Sequence, residues 1–188
     1  IRKRGSEPTI ITGRISEFLN EPDPLIVAKA TLKSRVHRRV SADYVGIKQY
    51  DDTGKVVGET RFVGLFTADA YNAMTKDVPL IREKVRRVVI AAGKRPNSHD
   101  SNALRHILET YPRDELFQIE DGELLANANG ILKLQNQTET RIFVRKDRFD
   151  RYLSALVYLP KESFHSELRQ KIGHTLETAF GGTLTAFY

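Results

Sequence analysis

The sequence of 188 residues predicts an α+β fold with two small antiparallel sheets, each backed by helices and joined by a helical segment. Strand-like stretches occur in adjacent pairs, at 44–66 and 140–159, and a stretch with apolar residues at helical spacing follows each pair. We therefore expect a first α+β module at 1–95, a helical linking segment at 96–138 and a second α+β module at 139–188.

The first module is predicted to contain a strand at 25–34 and a hairpin with arms at 44–50 and 56–66. Gly54 lies between the two arms, and glycine readily adopts the positive φ that a tight turn requires. A short helix at 68–74 is expected to follow the hairpin.

A longer helix is predicted near 80–92, with Pro79 at its start and Gly93 at its end. Its apolar residues recur at helical spacing: Ile81, Val85, Val88, Val89 and Ala92. The rest of its surface is largely basic: Arg82, Lys84, Arg86 and Arg87. We expect the three arginines to dock on protein rather than on nucleic acid, because they lie opposite the apolar side of the helix.

The linking segment is predicted to be helical throughout. Its first helix begins at Ser98 or Asp100, which favour the N-cap position, and it ends before Pro112. Its apolar stripe consists of Leu104, Ile107 and Leu108.

A second linking helix is predicted to continue from 113 to about 137. Asp114 and Glu115 suit its first turn, where negative charge is favourable, whereas Gly130 disfavours a helix. The inner face consists of Leu124, Leu125, Ala128, Ile131 and Leu132.

The second module is predicted to order its elements as strand, strand, helix, strand. The strands at 140–147 and 151–159 are joined tightly around 147–150, and a last strand follows at 183–188. The helix between them has apolar residues at every fourth position: Phe164, Leu168, Ile172, Leu176 and Phe180. Gly181 and Gly182 end this helix.

The strand at 151–159 has two different faces, because successive side chains alternate. The apolar face of Leu153, Ala155, Val157 and Leu159 is expected to pack on the last helix. Leu168 and Ile172, at the centre of that helix, are expected to be core residues. The face from Tyr152 to Tyr158 is expected to be covered by the helices at 98–137 or by another chain.

The composition excludes several classes of protein. Without cysteine the chain forms neither disulfides nor thiolate metal sites, which fits a reducing, cytoplasmic compartment. It has no apolar run long enough to span a membrane. The net charge of +6 is uneven, since residues 1–100 carry 19 basic and 12 acidic side chains and residues 101–188 carry 11 and 12. A basic half can attract nucleic acid, an anionic membrane or an acidic protein, although a solvated surface is the simpler interpretation.

No residue of this chain is predicted to be catalytic, to bind a cofactor or to ligate a metal. The sequence lacks the glycine-rich patterns that bind phosphates and the G-x-S-x-G pattern of serine hydrolases. His99 and His106 lie on one predicted helix, and His106 precedes Glu109 by three residues. A metal site needs several such ligands to converge, so surface or helix-capping positions are favoured for these side chains.

Seven aromatic residues lie on predicted strands: Tyr44, Tyr50, Phe62, Phe66, Phe143, Tyr152 and Tyr158. Together with nearby arginines they could stack on bases, which leaves a stand-alone basic nucleic-acid-binding module as the alternative function. The strand motif of RNA-recognition sheets does not occur, so core packing or a domain interface is the simpler interpretation.

Three long stretches carry a resemblance to a known family. They are RVHRRVSADYVGIKQYDDTGKVVGETRFVGLFTADAY, SHDSNALRHILETYPRDELFQI and RFDRYLSALVYLPKESFHSELRQKI, the last followed by AFGG. They resemble segments of the large bacterial NAD-specific glutamate dehydrogenases, and the resemblance runs over about 34–188. The chain also begins without methionine, so we expect it to be an internal piece of a longer protein.

The resemblance implies a place in the amino-terminal half of the parent chain, which holds regulatory modules of ACT-like (ferredoxin-like) fold. The parent oxidoreductase would convert L-glutamate to 2-oxoglutarate and ammonium while reducing NAD. The family's catalytic and NAD-binding residues belong to a later module, so none falls on this chain. The implied partners are the rest of the polypeptide, other subunits of a homo-oligomer and a small-molecule effector.

Overall fold

The computed structural model describes residues 22–34, 40–134 and 139–187. Its strands are β1 (Leu25–Lys33), β2 (Ser41–Tyr50), β3 (Val56–Gly64), β4 (Arg141–Lys146) and β5 (Leu153–Tyr158). Its helices are α1 (Ala68–Asn72), α2 (Pro79–Ala91), α3 (His99–Thr110), α4 (Arg113–Gln118), α5 (Asp121–Leu134) and α6 (Ser166–Phe180). Short 3-10 turns occupy Thr75–Asp77 and Lys161–Ser163.

The first sheet, β1 to β3, is antiparallel with its strands in chain order. The predicted hairpin is confirmed, with Gly54 at φ 81° in the turn. Asp51 holds that turn, because its carboxylate accepts hydrogen bonds from the backbone N–H groups of Thr53 and Lys55. The predicted strand at 25–34 is also confirmed as β1, which extends the hairpin to three strands.

The core of the described chain lies among α2 and the helices of the linking segment. The buried residues are Ile81, Val88, Leu104, Ile107, Leu108, Tyr111, Leu116, Ile119, Leu124, Ala128 and Ile131. The three predicted apolar stripes are therefore confirmed. Ser98 caps α3 as predicted, since its side chain accepts from the N–H of Ser101. The main contacts of α2 are with α5 and the 3-10 turn before it.

Two predicted helices differ from the structure. The helix expected over 113–137 is two helices, because Ile119 is extended at ψ 141° and ends α4 before α5 begins. Residues 135–137 of that prediction lie outside the described ranges. The helix expected over 68–74 ends at Asn72, and a 3-10 turn follows.

The second sheet consists, in the described residues, of the antiparallel hairpin β4–β5. Phe143, Leu156 and Tyr158 share one face and pack against the helical core. Phe143 and Tyr158 contact each other edge to face, with ring centroids 5.8 Å apart. Of the two covers expected for the tyrosine-bearing face, the helices at 98–137 or another chain, the structure shows the helices.

The prediction that Leu168 and Ile172 of α6 are core residues is wrong. Leu168 and Ile172 are half-buried rather than core residues, and of the described α6 residues Gly173 alone is buried. At the two ends of the stripe, Phe164 is 55% and Phe180 48% exposed. On β5, Leu153 is 42% exposed. Each apolar surface is thus only partly covered by the described residues.

The strand expected at 183–188 is not formed over 183–187, and Tyr188 lies outside the described ranges. This segment lies along α6 instead of joining the hairpin. The N–H of Leu184 donates to Glu177 Oε1 at 2.7 Å, and the Arg169 guanidinium stands 5.0 Å from the Phe187 ring centroid. Gly181 ends α6 as predicted, in the left-handed conformation at φ 62°.

Candidate functional site

The helix α4 lies where the first sheet, the helical core and the hairpin β4–β5 meet, and we call it the junction helix. It has six residues, too few for a helix to be stable by itself in water. Its position therefore depends on the side chains that neighbouring elements direct at it.

The first sheet is attached to the junction helix through a shared lysine. Lys29 Nζ of β1 donates to Asp43 Oδ1 at 2.6 Å and to Asp114 Oδ1 at 2.9 Å. Tyr71 OH donates to the same Asp114 oxygen at 2.7 Å. Burial by itself would lower the pKa of Lys29, but its hydrogen bonds to the two carboxylates outweigh burial and raise it. Burial and the hydrogen bond to Asp114 raise the pKa of Tyr71 to about 12.

The hairpin is attached to the junction helix through a buried ion pair. Arg145 of β4 donates twice to Glu115, from Nε to Oε2 at 2.6 Å and from Nη2 to Oε1 at 3.0 Å. The two side chains are 7% and 11% exposed. Burial opposes the charge of Arg145, yet its hydrogen bonds to the Glu115 carboxylate dominate and raise the pKa of the guanidinium. Next to this pair, Tyr152 OH donates to Gln118 Oε1 at 2.5 Å.

The helical core holds the C-terminal end of the junction helix, and the segment before the first 3-10 turn holds its start. Lys84 Nζ donates to the carbonyl oxygens of Leu116 at 2.8 Å and Ile119 at 2.6 Å, and so satisfies groups that a helix end leaves unpaired. Burial lowers the pKa of this lysine. At the other end, Arg113 Nη2 donates to the carbonyl of Ala73 at 2.9 Å. The ring of Phe117 stacks on Phe66, with centroids 4.4 Å apart.

A second contact joins the β4–β5 turn to the first sheet. Arg151 binds Asp147 through two hydrogen bonds, at 2.7 and 2.9 Å, and its Nη1 donates to the backbone carbonyl of Lys29. Asp147 also accepts from the N–H of Phe149. Burial raises the pKa of Asp147, but these hydrogen bonds and the arginine charge outweigh burial and hold it below its usual value.

The histidines considered for a metal site do not converge with acidic side chains. His99 and His106 are exposed on α3, and the Glu109 carboxylate accepts from the backbone N–H and the hydroxyl of Thr75. Within the described ranges, no three His, Asp or Glu side chains lie close enough together to bind one metal ion. In the same ranges, every helix is too short or too polar to cross a lipid bilayer.

The predicted basic surface of α2 is exposed and partly neutralised. Arg86 Nε lies 2.8 Å from Glu83, and Arg87 makes two hydrogen bonds to Asp121 at 2.5 and 3.2 Å. Arg82 is 53% exposed. Lys84, predicted as part of this surface, instead points at the junction helix.

The aromatic residues of the predicted strands do not form one exposed platform. Phe66, Phe143, Tyr152 and Tyr158 contact the helices or each other. Tyr44 OH donates to Glu59 of the neighbouring strand, whereas Phe62 and Tyr50 are 56% and 45% exposed.

The ion pairs of the junction helix were missed in the sequence. Asp114 and Glu115 do lie in its first turn, as predicted, but each also binds a cation from a different sheet. The sequence feature that could have indicated these ion pairs is the position of Lys29 and Arg145. Each is a basic residue in a strand with apolar neighbours, at a position that faces protein. Because their partners are far away in the sequence, the spacing of charges does not indicate the pairing.

This arrangement can fix the relative positions of the first sheet, the helical core and the hairpin β4–β5. It defines an α+β protein of ACT-like arrangement, in which two small antiparallel sheets are held to one helical core. Residues 78–137 match the family model described as glutamate dehydrogenase, helical motif 1. Residues 141–188 match the one described as glutamate dehydrogenase, ACT2 domain. The two matches together cover more than half of the chain. The chain belongs to the NAD-specific glutamate dehydrogenase family, so the resemblance is confirmed.

Curated relatives named NAD-specific glutamate dehydrogenase are similar over most of the chain. The protein of Halomonas elongata is 42% identical over 159 residues, and that of Pseudomonas aeruginosa is 41% identical over the same length; each match covers 85% of this chain and 10% of the relative. The Mycobacterium tuberculosis protein is 32% identical over 176 residues, which are 94% of this chain and 11% of the relative. The chain therefore spans about a tenth of the length of these relatives.

Proposed function

We propose that the chain is a non-catalytic regulatory and assembly region of a cytoplasmic, NAD-dependent glutamate dehydrogenase. The complete enzyme would convert L-glutamate to 2-oxoglutarate and ammonium with reduction of NAD. The observation that carries this proposal is the succession of two family models, helical motif 1 and ACT2 domain, along one chain. The junction helix supports it, because its carboxylates bind cations from both sheets and so position whole modules.

The three-part division of the chain, at 1–95, 96–138 and 139–188, is part of the same proposal. So is the assignment of catalysis, cofactor binding and any metal to regions of the enzyme outside this chain. The missing glycine-rich phosphate loop supports this assignment, since the pyrophosphate of NAD needs a glycine turn beside a helix N-terminus.

The proposed partners are the rest of the polypeptide, further subunits of a homo-oligomer and a small-molecule effector. The exposed surface of α2 is the proposed contact: Arg82, Arg86 and Arg87 are 53%, 60% and 53% exposed. In a long multidomain chain a neighbouring acidic surface is present at high effective concentration. Reversing the three charges to Glu should leave circular dichroism of the chain unchanged and should alter the sedimentation or kinetics of the full-length enzyme. Unchanged assembly and kinetics would reduce this surface to a solvated one.

The role of the chain is tested by comparing it with the full-length protein. Isothermal titration with NAD should give no measurable binding to the 188-residue chain, and glutamate should not be turned over. The full-length protein should bind NAD and turn over glutamate. Micromolar NAD binding by the 188-residue chain would refute the proposal. Tight binding of a generic DNA duplex that weakens steeply with salt would support a nucleic-acid-binding module instead.

A further inference from the structure

We propose that the junction helix makes the two sheets respond to each other, so that loosening the first sheet at Lys29 also loosens the hairpin β4–β5, and the reverse. This coupling is a property of the fold and goes beyond the proposed function. It can therefore be measured without reference to enzyme activity.

The first step concerns the charges around Lys29. Its ammonium group contacts the carboxylates of Asp43 and Asp114 at the same time, and the Lys29 and Asp43 side chains are only 16% and 6% exposed. Without that cation, two like charges face each other in a partly buried place. Their repulsion pushes the junction helix away from the first sheet, because Asp43 is buried and also accepts from the N–H of Phe66, whereas the Asp114 side chain is 35% exposed.

The second step concerns the junction helix itself. Asp114 and Glu115 are consecutive residues of one short helix, so a displacement of the first carboxylate moves the second. The two hydrogen bonds between Arg145 and Glu115 are 2.6 and 3.0 Å long, and a shift of about 1 Å takes both beyond hydrogen-bonding distance. Both groups are largely buried, so water cannot replace the lost partner without opening the hairpin.

The backbone contact between Arg151 and Lys29 joins the same two sheets. It uses the carbonyl oxygen of Lys29, which a side-chain substitution leaves in place. When the Lys29 side chain is substituted, any loosening of the hairpin is therefore transmitted through the junction helix.

The test is hydrogen exchange of the full-length protein, read at the amides of 141–146 and 153–158. Lys29→Met should raise their exchange rates about tenfold or more, since a local opening becomes more frequent. Lys33→Met, at an exposed position of the same strand, should not change them. Adding Asp114→Asn to the Lys29→Met variant should restore slow exchange, because the repulsion between carboxylates is removed.

A second experiment perturbs the hairpin side and measures the first sheet, so it can be carried out even if Lys29→Met does not fold. Coupling between two sites acts equally in both directions. Glu115→Gln should therefore accelerate exchange of the β1 amides at 25–33, whereas Glu120→Gln, at a side chain that is 72% exposed, should not. Unchanged exchange of the hairpin in Lys29→Met, no restoration by Asp114→Asn, or unchanged β1 amides in Glu115→Gln would each overturn the proposal.

Discussion

Gly130→Ala should destabilise the protein, although alanine is the better helix former. Gly130 lies in α5 beneath the hairpin, and a Cβ atom there would stand 2.7 Å from Cε1 and 3.0 Å from Cζ of Phe143. Real Cβ atoms do not approach a ring so closely. The Phe143 ring cannot swing away freely, because it packs edge to face on Tyr158 and against the helical core.

The magnitude follows from two opposing effects. Replacing glycine by alanine inside a helix stabilises by about 1 kcal/mol. Forcing an extra methyl group into a packed contact costs roughly 1–3 kcal/mol, and the 2.7 Å overlap with a held ring puts this site in the upper part of that range. We expect a net loss of about 1–2 kcal/mol in the free energy of unfolding.

Gly122→Ala is the matched control in the same helix. A Cβ atom at Gly122 meets nothing within 4 Å, so only the gain in helix propensity remains, up to about 1 kcal/mol. Urea unfolding with a common m-value should place the two midpoints on opposite sides of the parent protein. Adding Phe143→Leu should cost less in the Gly130→Ala background than in the parent, because the smaller side chain relieves the overlap. Equal shifts of both alanine variants would refute the packing of the hairpin on α5.

Three further predictions concern charge, pH and burial. Arg145→Met should cost about 3–5 kcal/mol in urea unfolding, because it leaves the Glu115 carboxylate buried without its cation, and adding Glu115→Leu should recover most of the loss. Asp147 has a lowered pKa in the folded state, so its stabilising effect is present above its unfolded pKa of about 3.9 and is lost as the pH falls through the folded value. The stability difference between the parent and Asp147→Asn should thus be constant at neutral pH and shrink in acid, and a pH-independent difference would contradict the assignment. Leu168→Ala should cost less than Leu104→Ala, for which we expect about 2–5 kcal/mol, because Leu168 is half-buried and Leu104 fully buried; equal midpoint shifts would argue for a covered α6.

Elements that depend on local pattern were predictable from the sequence. The helices α2, α3 and α5 appear where apolar residues recur at helical spacing, and a single core buries those residues together. Two turns that need a positive φ were located by glycine, at Gly54 and Gly181. In both cases the signal lies within one turn or one helix face.

Features that depend on distant partners were not predictable. The break at Ile119 is stabilised by Lys84, which comes from another helix and satisfies the exposed carbonyls. The burial of the α6 stripe depends on which surface covers it, and helical spacing reports only that a surface is apolar. Ion pairs such as Lys29–Asp114, whose members are 85 residues apart, leave no periodic trace.

The junction helix restricts where the chain can vary in length. Asp114 and Glu115 point to different sheets because successive residues of a helix are rotated by about 100°. An insertion or deletion of one residue just before them would rotate both carboxylates away from their cations. The turn at 51–55 is exposed and held by the side chain of its own first residue, so additional residues there would leave the junction intact. We expect members of the family to differ in length at the tip of this hairpin and to keep 113–118 free of insertions and deletions.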